Sequence, residues 1–388
     1  MINILYFIPS LTTSGGMERV LVEKANYLIA TGIYHVVIVT TEMRANDTVF
    51  FHLNGDIEVI CLELNYNDLF SKNFLDKIKE IQKLNNRYRK SIENIIKKYS
   101  IDICITMGGK ELEFLGDLDL PCKKIYESHF NKHFRSSFLK ANGKTGLFWK
   151  IIGKIRDIQH DLQARKLDKI VVLTQVNLNA WGGASNLVKL IPNPSPIINK
   201  TKKIPNLNSK RVVAIGKLDV QKGYDMLITA WSKISNQHTD WKLDIFGHGE
   251  LKNQLQLQIE DLGLSSSIFL RGLTKMVENE LYDSSFFVMS SRFEGLPMVL
   301  IESITCGLPI VSFDCETGPS EIIVDNDCGL LVKNGDVDKL AESIEKMILN
   351  EGLRYEMAKS ALRKSDDYKI GNIMKKWEVL FQELVGSS

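Results

Sequence analysis

Residues 3–41 read NILYFIPSLTTSGGMERVLVEKANYLIATGIYHVVIVTT. The first six are a short apolar run that suits a buried strand. Pro9 ends it, and a polar loop closes on Gly15 and Gly16. Residues 18–30 then place Val20, Leu21, Ala25, Leu28 and Ile29 at helical spacing, and HVVIVTT (35–41) is a second buried-strand run. Strand, Gly-rich turn, helix and strand in that order form a βαβ unit, and such a unit requires parallel pairing. The fold class expected from this stretch is α/β, with a parallel, doubly wound sheet.

The pattern continues outward. IEVICLEL (57–64), IDICITM (101–107), KKIYES (123–128) and KIVVLT (169–174) read as further strands, with helices over 71–98 and 140–167. The stretch IPNPSPIINKTKKIPNLNSK (191–210) carries four prolines among polar residues and reads as a linker. After it the alternation restarts: strands at 211–216, 242–247, 268–272, 286–291, 309–313 and 329–332, with helices at 223–235, 250–262, 276–283, 297–306, 319–323 and 336–349. The expected organisation is an N-terminal Rossmann-like domain (1–192), a linker (193–210), a second Rossmann-like domain (211–370) and a terminal helix (371–388) that returns to the first domain. Two such domains facing each other make a cleft, and ligands in these sheets bind at the carboxyl ends of the strands.

A chain of 388 residues exceeds one ordinary core, which agrees with two domains. A net charge of +2 gives no footprint for nucleic acid. The charge is nevertheless uneven, with 26 Lys/Arg against 20 Asp/Glu over residues 1–198. Cysteines 61, 104, 122, 306, 315 and 328 are scattered without a CxxC pair, as expected of reduced thiols in a cytoplasmic protein. MINILYFIPS has no basic n-region, and no apolar run is long enough to cross a bilayer.

The stretch RFEGLPMVLIE (292–302) places two glutamates, Glu294 and Glu302, on either side of a helix start. Pro297 suits the first helical position, and Gly295 permits close backbone approach. A helix N-terminus presents free N–H groups to an anion. Carboxylates on both sides of an anion site suit a ligand with hydroxyls on both sides of a phosphate, as in a sugar nucleotide. The same spacing also fits a solvated Glu294 and a Glu302 that caps a neighbouring helix. Two further loops bear on the choice. IGKLDVQKG (215–223) brings Lys217 and Lys222 together after a strand, where two cations can neutralise a departing diphosphate. FGHGE (246–250) and TTSGGME (12–18) are Gly-rich strand-to-helix turns, and Gly15 and Gly16 are suited to backbone contact with phosphate.

Taken together, GKLDVQKG, FGHGE, FLRG (269–272), SRFEGLPMVLIES (291–303) and TGPSEII (317–323) resemble the family-4 retaining glycosyltransferases of the GT-B fold, of the type that builds bacterial surface polysaccharides. The resemblance covers nearly the whole chain and is strongest over 211–335. It implies that Lys217 and Lys222 bind the donor diphosphate, although the family more often has Arg at the first of these positions. It implies that Glu294 meets the transferred sugar and Glu302 the ribose diol. Gly295, Leu296 and the N–H groups of Met298, Val299 and Leu300 would meet the phosphates, and the loop from Arg271 the base. In YESH (126–129) it matches His129 to a strand-end histidine beside the reacting sugar, with His133 the candidate for confusion. It implies a hexose or N-acetylhexosamine donor linked to UDP, transfer with retention, and no cofactor or metal, with the lysines in the metal's place. The Asp117-Leu118-Asp119 run precedes Pro121 and reads as an ordinary turn rather than a metal-holding motif.

Residues 123–169 hold 12 Lys/Arg against four acids, with Phe130, Phe134, Phe138, Phe148 and Trp149 interleaved. That composition suits peripheral contact with an anionic membrane face, and equally a solvated surface over an ordinary core. On the membrane reading the acceptor is lipid-linked, such as a polyprenyl-diphosphate glycan. An epimerase or hydrolase acting on sugar nucleotides, and a non-catalytic sugar-nucleotide-binding subunit, are the competing readings.

Overall fold

A computed structural model of the chain describes residues 1–71, 74–141, 143–144 and 146–386. Residues 72, 73, 142 and 145, within the two stretches expected to be helical, and 387–388 of the expected terminal helix lie outside the described residues.

The chain forms two compact units. The first holds residues 1–132, 154–192 and those from Ile370 onward; the second holds 133–153 and 193–369. In the first unit the elements are β1 (Ile2–Ile8), α1 (Gly16–Ala30), β2 (Tyr34–Thr40), β3 (Glu58–Cys61), α2 (Phe74–Lys98), β4 (Ile103–Thr106) and β5 (Lys123–Ser128). There follow α3 (Phe134–Ala141), which belongs to the second unit, α4 (Leu147–Ala164), whose residues 147–153 also do, β6 (Lys169–Val172), α5 (Gln175–Ala180) and β7 (Val188–Leu190). The sheet is parallel in the order β3-β2-β1-β4-β5-β6-β7.

The second unit contains β8 (Arg211–Ile215), α6 (Tyr224–Ser232), β9 (Lys242–Phe246), α7 (Lys252–Asp261), β10 (Ile268–Gly272), α8 (Val277–Tyr282), β11 (Phe286–Met289) and α9 (Met298–Cys306). It continues through β12 (Ile310–Asp314), α10 (Pro319–Ile322), β13 (Gly329–Lys333), α11 (Val337–Leu349) and α12 (Glu351–Lys364), and the chain ends in α13 (Ile370–Val385). Its parallel sheet runs β10-β9-β8-β11-β12-β13. Each order reverses direction once, at β1/β4 and at β8/β11, and these are the switch points where loops part and leave room for a ligand.

The strands are apolar on both faces because helices cover both faces. In β1, Ile4, Tyr6 and Ile8 pack with α1, whereas Leu5 and Phe7 face the opposite core with Tyr88 of α2 and Phe114. The period of two in the side chains divides one strand between two cores. Trp377, Leu380, Phe381 and Leu384 of α13 join the α1 face, with the Phe381 ring 5.9 Å from that of Tyr34. In the second unit a single large cluster gathers Leu227 and Trp231 of α6, the inner strands and Leu340, Ile344 and Met347 of α11.

Several element readings change. The helix expected over 140–167 is two helices, α3 and α4, and between them Gly143 takes φ 74°, a left-handed turn that breaks helical continuity. The strand expected at 57–64 shortens to β3, whose residues are at most half-buried at the sheet edge. The short elements α5 and β7 and the helix α12 carried too little contrast in the sequence to be separated from their surroundings. Pro297 sits at the N-cap of α9 with ψ 108°, one residue before the helix rather than in its first turn. The proline-rich stretch 193–210 is fastened to the second unit. Ser195 N–H donates to Tyr368 O at 2.7 Å, Asn199 Nδ2 to Thr305 O at 3.0 Å, Asn206 N–H to Tyr282 O at 2.8 Å, and Arg354 Nε to Leu207 O at 2.9 Å.

Candidate functional site

The second unit's switch point holds the residues singled out at 217–222 and 292–302. The loop leaving β8 carries Lys217 and Lys222; the loop leaving the adjacent β11 carries Arg292 and Glu294. Gly223 ends the first loop at φ 63°, and a Cβ there would lie 2.2 Å from Ser290 O, so only glycine lets the two loops close on each other. Ser290 Oγ donates to Lys222 O at 2.9 Å, and Arg292 N–H to Gln221 O at 2.8 Å. The Arg292 guanidinium spans the gap: Nη1 donates to Val220 O and to Asp225 Oδ1 at 2.8 and 2.9 Å, and Nη2 to Asp225 Oδ2 at 2.6 Å. A planar fork with two parallel bonds fixes direction as well as distance.

The clasp presents Glu294. Its Oε1 accepts from Lys222 Nζ at 2.7 Å and its Oε2 from Gln221 Nε2 at 3.3 Å, and Thr317 Oγ1 donates to its carbonyl oxygen. Glu294 is 8 % exposed, so the solvated alternative does not hold. Burial works against the charge on Lys222, yet Glu294 and Asp219 outweigh it and hold the ammonium above the ordinary lysine value. Burial pushes the Tyr224 phenol and the Cys315 thiol well up, and the Glu294 charge adds to both.

The remaining residues of the expected donor set divide. Glu302 is buried on α9, behind Gly295, Leu296, Met298, Val299 and Leu300 at the head of that helix. Lys217 is exposed, with Nζ 3.8 Å from Asp219. Arg271, at the end of β10, is engaged: Nε donates to Asp244 Oδ1 at 2.8 Å, and its guanidinium lies 4.4 Å from the Phe269 ring centroid. The FGHGE turn supports the lysine loop. Gly247 takes φ 153°, where a Cβ would lie 1.8 Å from Gly216 O, and Leu218 N–H donates to His248 O at 3.0 Å. These glycines serve close backbone packing.

In the first unit, Gly15 caps α1 and Gly16 begins it. The Glu18 carboxylate, held by Thr13 Oγ1 at 2.6 Å, lies over that helix start. His129 is buried just past the end of β5, whereas His133 is exposed at the head of α3; the structure separates the two candidates. His129 Nε2 lies 3.2 Å from Glu127 Oε1, and Glu127 Oε2 accepts from Lys24 Nζ at 2.6 Å. Burial raises the Glu127 pKa, but Lys24 and His129 beside it bring the carboxyl down to about 2. Burial draws Lys24 below the ordinary lysine value in spite of its partner. Asp117, in the run read as an ordinary turn, pairs with Lys166 at 2.7 Å. Among the described residues no group of three His, Cys, Asp or Glu side chains is assembled to hold a metal.

The basic, aromatic segment is partly at the surface. Phe130, Phe138 and Phe148 are exposed, while Phe134 packs on Phe293 with ring centroids 6.1 Å apart. Along α4, Phe148, Ile151, Ile155, Ile158 and Leu162 recur at steps of three and four and stay exposed, and Lys150, Lys154 and Arg156 are exposed on the same helix. No helix among the described residues is long and apolar enough to cross a membrane.

Four residues of this geometry escaped the sequence reading. Gln221 and Asp225 had no signal beyond proximity to Lys222. Glu127 stands inside YESH, two residues before His129. Lys24 lies 103 positions from its partner within an ordinary helical pattern.

Residues 197–364 match a family model described as glycosyl transferases group 1. An uncharacterized glycosyltransferase of Methanocaldococcus jannaschii is 30% identical over 283 residues, 62% of this chain and 68% of that protein. A Campylobacter jejuni protein, GalNAc-alpha-(1->4)-GalNAc-alpha-(1->3)-diNAcBac-PP-undecaprenol alpha-1,4-N-acetyl-D-galactosaminyltransferase, is 26% identical over 397 aligned positions, covering 99% of each. Among solved structures, S. aureus TarM, crystallised with fondaparinux, alpha-GlcNAc-glycerol and UDP, superposes with a TM-score of 0.79 at 18% identity, covering 98% of this chain and 100% of that one. That last likeness is one of fold.

Proposed function

This chain belongs to the group 1 glycosyltransferases and has their two-unit GT-B fold, and from that premise we propose that it transfers a hexose or N-acetylhexosamine from a UDP-sugar, with retention, to a hydroxyl of a lipid-linked glycan. The observation that carries the reading is the pairing of Lys222 with Glu294 at the β8/β11 switch point, at the head of α9. A cation and a carboxylate delivered by neighbouring loops match the two halves of a sugar nucleotide, one anionic and one rich in hydroxyls.

In this reading the diphosphate takes Lys222, Lys217 and the N–H groups of Met298 and Val299, Leu300 N–H being donated to Pro297 O at 3.1 Å, so that charge developing on the leaving group meets fixed dipoles and ammonium groups. The lysines do the work of a metal ion. Glu294, released from Lys222, accepts hydrogen bonds from the transferred sugar. Glu302 takes the ribose diol, and His129 serves the sugar during transfer. Arg271, already paired with Asp244, offers its exposed edge and the turn after it to the base. The acceptor hydroxyl attacks on the face the diphosphate leaves, and its proton passes to a departing phosphate oxygen.

A lipid-linked acceptor is supported by the undecaprenol-linked acceptor for which the C. jejuni relative is named, which covers the same length, and by the exposed apolar and basic residues of α4. UDP as the carrier is supported by the ligand of TarM. Peripheral attachment at an anionic, cytoplasmic membrane face places the enzyme beside such an acceptor.

The test is product analysis. The protein is incubated with a panel of UDP-sugars, with and without a polyprenyl-diphosphate-linked glycan. A lengthened glycan whose new linkage keeps the donor's anomeric configuration is expected. Free monosaccharide alone would instead show a hydrolase, and an isomerised nucleotide sugar an epimerase.

A further inference from the structure

We propose that Glu127 is a positioning residue that selects the tautomer of His129, with Lys24 as its counter-ion and α13 as the lid that keeps the pair dry. The proposal rests on the role given to His129 above, but its first readout does not.

Glu127 and His129 are two residues apart at the end of β5, with Glu127 Oε1 and His129 Nε2 separated by 3.2 Å. Both atoms are buried, neither has a hydrogen-bond partner elsewhere, and their 3.2 Å approach is a charge contact rather than an aligned hydrogen bond. A proton on Nε2 therefore has one acceptor in reach. A carboxylate at that place favours the ring protonated on Nε2 and leaves Nδ1 as an acceptor, the arrangement by which a second carboxylate fixes a working histidine elsewhere. The other oxygen, Oε2, is taken by Lys24 at 2.6 Å. The Lys24 ammonium lies 3.9 Å from the Trp377 ring centroid and 5.5 Å from that of Tyr6, and Trp377 belongs to α13. A cation over aromatic faces is stabilised where water is excluded.

A purely structural role is a weak explanation for this cluster. Buried ion pairs are often matched or surpassed in stability by apolar residues of similar volume, because both charges must be desolvated. Lys24 sits on the α1 face amid Leu21, Ala25 and Leu28, where an apolar side chain would pack as well.

Removing Glu127 alone would strand a buried ammonium, so the test uses paired variants of the full chain. Lys24→Met with Glu127→Leu removes both charges and the acceptor; Lys24→Met with Glu127→Gln removes the charges but keeps an acceptor oxygen. Thermal melts confirm folding. Histidine is labelled with 15N, and His129→Gln assigns the signal. The wild type should show the Nε2-protonated tautomer, the Met/Leu protein should lose it, and the Met/Gln protein should retain it. In transfer assays Met/Leu should lower kcat about tenfold to a hundredfold, the range for outer-shell partners of working histidines. KM for the UDP-sugar should stay unchanged, and Met/Gln should recover most of the rate. A wild-type ring protonated on Nδ1, or a Met/Leu protein with unchanged tautomer, overturns the proposal. So does a Met/Leu protein whose tautomer changes while kcat does not. A tautomer that responds as expected in a protein that transfers no sugar sinks the glycosyltransferase reading and leaves the pairing intact.

Discussion

Lys222 Nζ and Glu294 Oε1 are 2.7 Å apart across 72 positions of sequence. Neighbouring strands β8 and β11 deliver them, and Gly223, Ser290 and Arg292 hold their loops in contact. Each satisfies the other's charge, so in the proposed function donor binding would be an exchange, with the diphosphate taking over the ammonium and a sugar hydroxyl the carboxylate. Their separate contributions can therefore be read from different constants.

Lys222→Ala should weaken UDP binding. A hydrogen bond to a charged group contributes about 1.5–3 kcal/mol, which corresponds to roughly a tenfold to hundredfold rise in Kd by titration calorimetry. Unchanged affinity would remove Lys222 from the donor site.

Glu294→Gln should leave UDP affinity within a few-fold and lower kcat at least about a hundredfold, since a carboxylate acting on the sugar matters most as charge develops there. Circular dichroism should show an intact fold. Normal turnover by this variant would defeat the role assigned to the carboxylate.

Arg292 is distinct from both, because it is given no contact with the donor. Its fork to Asp225 and its bond to Val220 O set the spacing of the loops. Arg292→Lys keeps the charge but not the fork. Both UDP affinity and kcat should fall, each about tenfold, and Asp225→Asn should reproduce the loss with no added effect in the double variant. Fully additive effects of the two substitutions would show that they do not act as one clasp.

The division between what the sequence shows and what it hides follows from range. The strand periodicity, the βαβ units and the 292–302 stretch are local patterns, so the parallel sheets, the switch-point loops and the places of Lys222 and Glu294 on them could be read from the residues, whereas His129 was singled out only through the family resemblance. The glycine-rich FGHGE turn was visible but not its purpose, because the backbone it approaches, Gly216, is 31 positions earlier. The Lys24–Glu127 and Arg292–Asp225 pairs are side-chain contacts made only once the sheets assemble. The split of residues 140–167 into α3 and α4 depended on one left-handed glycine in a helix-like pattern.

The buried pair in the first unit also predicts a dependence on acid. The Glu127 carboxyl, at about 2, lies below its ordinary value of 4.5. A carboxylate depressed on folding adds stability that is complete above its ordinary pKa and is lost as pH falls through the folded value, because the unfolded chain binds the proton first. Between pH 5 and about 2 the wild type should therefore lose stability faster than the Lys24→Met, Glu127→Leu protein, measured as the gap between their urea midpoints. A gap that stays constant over that interval would mean that Glu127 is not held ionised by its neighbours.

The surface of α4 carries the last prediction. Phe148, Ile151, Ile155, Ile158 and Leu162 stay exposed at helical spacing, with Lys150, Lys154 and Arg156 on the same helix. An interfacial helix binds by apolar insertion together with attraction to anionic lipid, and only the second part is screened by salt. Flotation with vesicles containing anionic phospholipid should recover the protein at low salt and recover less at high salt, with little binding to neutral vesicles. Each basic residue near the surface contributes about 1 kcal/mol, so Lys154→Gln should reduce partitioning roughly fivefold. Ile151→Ser with Ile155→Ser should abolish flotation at every salt concentration while leaving activity on a water-soluble acceptor unchanged, since neither residue belongs to the donor set named above. Absence of binding to anionic vesicles at low salt would remove the membrane from the proposal and return α4 to an ordinary solvated face.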